Sequence, residues 1–573
     1  MPYHQKIQRG LVLNHKRWHI LPPVPRGHPL GKCGLSPLIT QILFNRGLAD
    51  AAQVEPFLSV DKRLSPDPFL LPDMEPAVTR IYRAVLGGEK IAVYGDFDAD
   101  GITSTALLVQ GLRAFNVQAI PYIPHRINEG HGLKIAALEA LKKEGVSLII
   151  TVDCGITGVN PVKKAKRLGI DVIITDHHTP TEEIPPAFAV VNPKIKTSRY
   201  PFVELAGVGV AYKLLQALFK GVNKESQLEE IADLVALGTV ADMTPLLGEN
   251  RYLVSEGLKR MNAVPRLGLC ELLTKAGISM GTLTSENITW TIAPRLNTAS
   301  RMDHALPSYE LLMTDSAARA GELVTWLEQK NTERQQVTMK ATGVAREQVL
   351  ANKLESLIMV HVDDFSAGIS GLVANKLSDE FYRPSVVVRT GMKISTGSCR
   401  SIPEFNLIES LTQCRELFVE FGGHKGAAGF MILTHNLPLL YKKLLKIADT
   451  TLTGVDLRPK IDIDAEVSLK DLAGSAYRTL QQLAPFGQAN PQPVFVTRNV
   501  KVANCKTMGS DNGHLRLKIE QNGMVWDAVA FGFGANQAEM CDPLDIVYNL
   551  ELDQWNGRSN LRLNLLDFAK AGQ

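Results

Sequence analysis

Val172-Ile-Ile-Thr-Asp176-His177-His178 sets an acidic, histidine-bearing cluster directly behind an apolar run, and the chain does this twice more upstream. Ile91-Ala-Val-Tyr-Gly-Asp96-Phe-Asp98-Ala-Asp100-Gly101 and Leu148-Ile-Ile-Thr-Val-Asp153-Cys-Gly155 have the same form. Helical patterns at 103–115, 133–143 and 160–168 alternate with these runs, which predicts a parallel, doubly wound α/β sheet from about 70 to 255. In such sheets the ligand crevice lies beyond the carboxyl ends of the strands, so the three ends aim their side chains into one place.

Asp96, Asp98, Asp100, Asp153 and Asp176 with His177 and His178 repel one another in one crevice, since close carboxylates cannot all ionise without cations between them. Divalent metal is the simplest remedy. Carboxylate and imidazole without thiolate favour Mn²⁺ or Mg²⁺, with zinc and cobalt left open by affinity alone, and the number of ligands suits two ions. Asp96-Phe-Asp98-Ala-Asp100-Gly101 also matches the opening of a calcium loop. Leu107 stands where the bidentate Glu belongs and a strand precedes the motif, so that assignment is rejected. A lone Asp at a strand end is as often a turn residue or helix N-cap, and a lone His is more often structural. The recurrence at three strand ends decides for a site.

The order and spacing of these motifs resemble the DHH phosphoesterases and, within them, the RecJ single-strand-specific exonucleases. Gly95-Asp-Phe-Asp-Ala-Asp-Gly101, Val152-Asp-Cys-Gly155, Asp176-His-His178 and Gly238-Thr-Val-Ala-Asp242-Met243 are similar to that family's four motifs. Gly422-Gly-His-Lys-Gly-Ala-Ala-Gly429 resembles the signature of the accompanying DHH-associated domain. The resemblance runs from about Lys90 to the last strands. It implies that Asp98 and Asp100 are metal ligands, that Asp153 bridges two ions, and that His177 and Asp242 bind the second. Asp176 and His178 match residues that orient ligands or touch phosphate. Many relatives carry a further His ligand just before the first motif, where this chain has Tyr94, which leaves open whether Asp96, counted here with the ligands, takes part.

Two adjacent ions supply an acidified water and neutralise charge on the phosphoryl oxygens, so no protein nucleophile is needed. The chain shows no Ser-His-Asp or Cys-His arrangement that must be invoked, and no Walker or dinucleotide fingerprint in its proper context. Metal-assisted phosphodiester hydrolysis is the expected reaction.

With 573 residues, 45% of them hydrophobic, the chain has material for about two to four domains. A net charge of +3 is too small for the whole-protein field to hold nucleic acid, which leaves that to local clusters. The cysteines (33, 154, 270, 399, 414, 505 and 541) are scattered with no Cys-x-x-Cys, which fits a reducing compartment. Met1-Pro-Tyr-His-Gln-Lys6 lacks the apolar core of a secretory signal, and no apolar stretch is long enough to span a membrane. A cytoplasmic protein is expected.

Residues 1–50 read as an extension, with the Pro-rich arm Leu21-Pro-Pro-Val-Pro-Arg-Gly27 before a short helix. Residues 51–255 hold the DHH domain. Residues 256–352 are helical, and 315–352, free of Pro, predicts one long connecting helix despite Gly321 and Gly343. Residues 353–455 again mix strands and helices (Leu357–His361, Gly371–Leu377, Ser385–Arg389) as an α/β DHH-associated domain. Two stretches there, Gly397-Ser398-Cys399-Arg400-Ser401 and Gly422 to Gly429, read as loops whose glycines let backbone N–H groups approach a phosphate, although such loops are more often tight turns. The resemblance implies that Ser398, Arg400 and His424 hold the nucleic-acid end across from the metals, with Arg126, Arg295 and Arg301 in family-like segments. Each arginine alone reads as a surface salt bridge. Glycine is usual in the family where Ser300 and Cys399 stand.

From 456 to 573, short alternating strands (Lys460–Asp464, Val494–Thr497, His514–Ile519, Asn560–Asn564) with turns at Gln521-Asn-Gly523 and Trp555-Asn-Gly557 predict a small β-barrel, an OB-fold by resemblance. Arg516, Lys518, Trp526, Trp555, Arg558 and Arg562 offer a stacking and phosphate surface for single strands, or simply a solvated face. The resemblance thus implies a monomeric exonuclease that degrades single-stranded DNA from its 5′ end to 5′-mononucleotides in DNA repair and recombination. A single-strand-binding protein and a helicase are the implied partners. The rivals are a DHH enzyme for short oligonucleotides or small phosphoesters and a catalytically silent replication scaffold. The barrel weighs against the first, and the intact Asp98, Asp100, Asp153, His177 and Asp242 against the second.

Overall fold

The structure is a computed structural model that describes residues 16–572 except 510, 542, 556 and 557; the side chains of 554–559 also lie outside the description. The Met1–Lys6 stretch, the Trp555-Asn-Gly557 turn and the side chains of Trp555 and Arg558 therefore fall outside the described residues. The chain divides into two compact units, Asp61–Leu457 and a second formed by Met1–Val60 with Arg458–Gln573. Among the described residues, no helix is long and apolar enough to cross a membrane.

In the larger unit, five parallel strands lie in the order Ile120–Tyr122, Lys90–Tyr94, Val146–Val152, Asp171–Thr175, Ala189–Val191. This is a doubly wound order whose switch point falls between Lys90–Tyr94 and Val146–Val152. Alternate residues feed two cores. Ile91, Val93, Leu148, Ile150, Val152 and Ile173 face one, and Ala92, Tyr94, Ile149, Val172 and Ile174 the other. A strand covered on both faces needs a continuous apolar run, which is why these segments show runs and no polar alternation. Helices Ala99–Arg113, Ile135–Lys143 and Val159–Arg167 return the chain between strands.

Helix Ala317–Leu350 runs unbroken for 34 residues, about 51 Å at the α-helical rise. Its first half packs Ala320, Leu323, Val324 and Leu327 into the core over the parallel sheet. Its second half packs Ala341, Ala345 and Val349 into a different core with Val360, Ile369 and Val387. A Cβ at Gly321 or Gly343 would meet nothing within 4 Å, so neither glycine serves a close approach there.

The second sheet is mixed, in the order Phe418–Gly423, Ala427–Leu433, Ile394–Arg400, Ser385–Arg389, Ile358–His361, and only the last pair is parallel. The structure corrects one expectation here. Gly397 to Arg400 is not a loop but the end of the central strand, with Ser398 opposite both Val387 and Gly429. A Cβ on Gly397 would lie 2.1 Å from the Phe430 ring, so this glycine answers a packing need and not a turn. Gly422 to Gly429 is a hairpin that turns at His424-Lys425-Gly426.

In the smaller unit, strands Phe495–Met508, His514–Gln521, Met524–Ala530, Arg558–Lys570 and Leu544–Trp555 pair in that order. The last closes onto the first, giving a five-stranded OB-type barrel. Lys460–Ile463 is not a stave of it: it pairs in parallel with Arg17–Ile20. The N-terminal extension, read from sequence as a separate segment, thus groups with the barrel, and so does helix Ala51–Ser59, which was expected in the DHH domain. Trp18 Nε1 donates to Asp567 at 2.8 Å, and Asn45 and Arg46 converge on the buried Asp464 carboxylate at 3.0 and 3.1 Å. Arg46→Ala strands part of that buried charge and is expected to cost about 3 kcal/mol. Calorimetry of the full chain would show a lowered transition; an unchanged one contradicts the pairing.

Candidate active site

The three acidic strand ends meet at the switch point of the parallel sheet. Asp98 caps helix Ala99–Arg113, its Oδ1 accepting from the Asp100 and Gly101 amides at 3.0 and 3.2 Å. Asp98 thus plays the helix N-cap that a lone aspartate suggests, in a carboxylate that also groups with Asp96 and Asp153. Asp100 meets the N-terminus of helix Gly207–Lys220, where its oxygens accept from the Gly207 and Val208 amides at 2.7 and 2.8 Å. Asp153 sits in the left-handed region at φ 60°, a conformation that a residue with a side chain keeps only when its surroundings impose it. Asp176 uses both oxygens locally. Its Oδ1 accepts from the His177 and His178 amides and lies 2.8 Å from His178 Nδ1, and its Oδ2 accepts from Ile156. It builds the His-His turn and fixes the His178 ring.

Three overlapping groups bring ligand atoms within 4.8 Å of one another: Asp96, Asp98 and Asp153; Asp100, His177 and Asp242; Asp153, His177 and His178. Asp153 and His177 each belong to two of them. His177 Nε2 lies 3.2 Å from Asp153 Oδ1, yet neither atom has a hydrogen-bond partner, and the buried His177 Nδ1 and Asp96 Oδ1 have none either. Buried polar atoms without partners are rare in native proteins, and a cluster of them aimed together fits a cation site.

Electrostatics point the same way. Burial and then Asp98 push the Asp100 carboxyl up to about 7, and burial with neighbouring aspartates lifts Asp153 and Asp242 well above the carboxylate range. Burial drives His177 down to about 3, so its imidazole is neutral and able to ligate. For His178 burial is the largest influence and opposes the charge, but the Asp176 hydrogen bond together with the charges of Asp176, Asp242 and Asp96 outweighs it and raises the ring to about 9. Hard oxygen donors, a neutral imidazole and unrelieved mutual repulsion together suit divalent ions.

A basic pocket adjoins this cluster. Arg126 lies over the Phe97 ring at 4.5 Å and donates to Ser300 Oγ at 3.2 Å. Arg301 donates to the Gly368 carbonyl at 3.1 Å, and Arg400 to the Cys399 carbonyl at 2.8 Å. Among the described residues, none of the three bonds to a carboxylate. Burial, then the charges of Arg126, Arg334 and Arg400, pulls Arg301 down to about 9; an anion among the guanidiniums relieves that repulsion. Burial, then the charges of His178 and Lys194, lower His424 at the hairpin turn of the second domain. Ser398 stands half-buried in the central strand. Arg295 is engaged elsewhere, paired with Glu328 at 2.5 Å and bonded to the Thr291 carbonyl, which is the salt bridge that a lone arginine suggests.

Three residues were not singled out by sequence. His131 Nδ1 lies 3.0 Å from Asp96 Oδ2, Asn297 Oδ1 accepts from the Ala99 amide at 2.9 Å, and Arg334 adds to the charge felt by Arg301. Gly130-His131-Gly132 follows no motif, and Arg334 sits on a helix of mixed charge, so neither carried a signal. Helix Gly207–Lys220 comes so close that a Cβ on Gly207 would lie 2.5 Å from Asp153 Oδ1. Gly207→Ala must displace Asp153, and turnover is expected to fall by about 10². Wild-type rates from that variant contradict the close approach.

A doubly wound sheet with metal-competent carboxylates at its switch point, an adjoining arginine pocket and an OB-type barrel define a metal-dependent phosphoesterase of the DHH class. Residues 90–239 match the DHH family, N-terminal domain, and residues 463–567 the RecJ OB domain. The chain is 38% identical over 540 residues to the single-stranded-DNA-specific exonuclease RecJ of Bacillus subtilis (strain 168), covering 93% of this chain and 68% of that protein. It is 32% identical over 526 residues to the exonuclease of the same name from Haemophilus influenzae, covering 88% and 91%. The crystal structure of RecJ in complex with Mn²⁺ from Thermus thermophilus matches with a TM-score of 0.82 at 28% identity, over 97% of this chain and 80% of that one. The chain belongs to the RecJ family of exonucleases.

Proposed function

We propose that this protein hydrolyses single-stranded DNA from its 5′ end to 5′-mononucleotides at a site for two Mn²⁺ or Mg²⁺ ions. The observation that carries the reading is the juxtaposition of overlapping metal-competent groups with partly buried arginines that have no carboxylate partner among the described residues. Asp96, Asp98 and Asp153 would hold one ion and Asp100, His177 and Asp242 the other, with Asp153, beside His177, able to serve both. Bound there, the ions supply an acidified water and neutralise charge on the phosphoryl oxygens.

The rest is done by the chain's own side chains. The Gly207 and Val208 amides keep Asp100 in place, and Asp176 holds the protonated His178 ring as a donor for a phosphate oxygen. Arg126, Arg301 and Arg400, with Ser398 and His424, take the terminal phosphate and so set the register of the strand at the reacting bond. Arg295, tied to Glu328, is left out of that set. On the barrel, Lys506 and Arg516 stand directly opposite one another, a like-charge pair that disfavours the sheet until a polyanion lies across it.

We assign the protein to DNA repair and recombination in the cytoplasm, as a monomer working with a single-strand-binding protein and a helicase; family membership supports that setting. Digestion of long single strands, matched duplexes and dinucleotides with Mn²⁺ tests the substrate class. Mononucleotides released from long single strands support the proposal, and hydrolysis confined to dinucleotides overturns it in favour of a small-substrate enzyme.

A further inference from the structure

We infer that His131 is a positioning residue of the metal site, fixing Asp96 through its Nδ1; this rests on the metal-centre reading above. Asp96 is 4% exposed, and its two oxygens are treated differently. Oδ2 lies 3.0 Å from His131 Nδ1, while Oδ1 is buried without a partner, in a carboxylate grouped with Asp98 and Asp153. An ionised carboxylate only accepts, so the imidazole proton sits on Nδ1 and the ring dictates which way the carboxylate turns. Oδ1 is then the oxygen left for an ion.

The side chain of His131 is 71% exposed, so burial does not explain why it stays on Asp96. Three restraints hold it there. The ring packs on Phe97 at 4.2 Å between centroids. Gly130 and Gly132 flank it at φ 72° and 77°, left-handed positions that glycine adopts at little cost, and these make the bend that returns the side chain to the sheet. Behind the bend, the Tyr94 hydroxyl donates to the Gly132 carbonyl at 3.1 Å, and Tyr94 is itself fully buried and stacked on Tyr122 at 4.9 Å. A tyrosine at the end of the strand that leads into Asp96 thus anchors the loop whose histidine orients Asp96. Hydrogen-bonding partners of this kind set ligand orientation, and losing one typically lowers metal affinity by about 10- to 100-fold.

The test is calorimetric titration of the full-length protein with Mn²⁺ alone, for the wild type, His131→Ala and His131→Asn, with melting of each metal-free chain. The wild type is expected to bind two ions. His131→Ala weakens one of them by about 10- to 100-fold and leaves the other unchanged, while Asn, whose amide N–H can stand in for Nδ1, recovers most of the loss. Equal melting temperatures separate positioning from a purely structural contact. Wild-type titration curves from His131→Ala overturn the inference with the metal site left standing, as does a loss in Ala that Asn does not recover. A wild type that binds fewer than two ions overturns the two-ion reading itself, and the inference with it.

Discussion

Replacing Asp153 with Asn lowers turnover on single-stranded DNA by at least about 10³-fold, some 4 kcal/mol, while leaving strand affinity within about twofold. Asparagine is the right substitute because Asp153 holds φ at 60°, which Asn tolerates and Ala does not. It also keeps the volume against which Gly207 packs. Asp153 belongs to the group with Asp96 and Asp98 and, through His177, adjoins the group with Asp100 and Asp242, so on the proposed two-ion site one neutralised carboxylate is expected to degrade both positions. The variant also removes a charge that burial and the surrounding aspartates already disfavour. The metal-free protein should therefore melt no lower than the wild type, which separates lost chemistry from lost folding. Turnover near the wild-type rate contradicts Asp153 as the shared ligand.

Arg400→Met is expected to weaken binding of a 5′-phosphorylated single strand by about 10- to 100-fold, and of the 5′-hydroxyl strand by much less. Arg400 donates to the Cys399 carbonyl, has no carboxylate partner among the described residues, and adds to the repulsion that lowers Arg301. Methionine keeps much of the apolar volume beside Gly371, where the guanidinium now lies. Stability should hold or rise as binding falls, and the slope of log affinity against log salt should flatten by about one unit. Arg295→Met serves as the contrast: it breaks a salt bridge to Glu328 and should leave phosphate selectivity intact. Competition binding with paired oligonucleotides reads the effect, and an unchanged preference for the phosphorylated end removes Arg400 from the pocket.

The parts of the fold legible in the sequence are those with local causes. Strands covered on both faces must be apolar throughout, so Leu148 to Val152 and Val172 to Ile174 stand out, and the aspartate that ends each run marks the crevice. The long helix shows because nothing interrupts it. Gln521-Asn-Gly523 shows because Asn522 and Gly523 take φ of 52° and 81°, the pair of left-handed positions that a tight hairpin needs.

Non-local causes hide the rest. Arg17–Ile20 finds Lys460–Ile463 across nearly the whole chain, and four residues carry no pattern strong enough to announce it. Gly397 looked like a loop residue because a glycine that admits a ring from the neighbouring strand is written with the same letter as one that turns the chain. For Asp176 the resemblance implies a residue that orients ligands or touches phosphate, but which groups it holds, the His177, His178 and Ile156 amides and the His178 ring, only the hydrogen bonds reveal.

The most direct test of the central claim is digestion of a long single strand labelled at either end, with Mn²⁺, with Mg²⁺ and with chelator, resolving products by length. A 5′ label should be released at once as a mononucleotide while a 3′-labelled strand shortens progressively, in either metal and not in chelator. Release that begins at the 3′ end, internal cutting, or digestion that survives the chelator would contradict it.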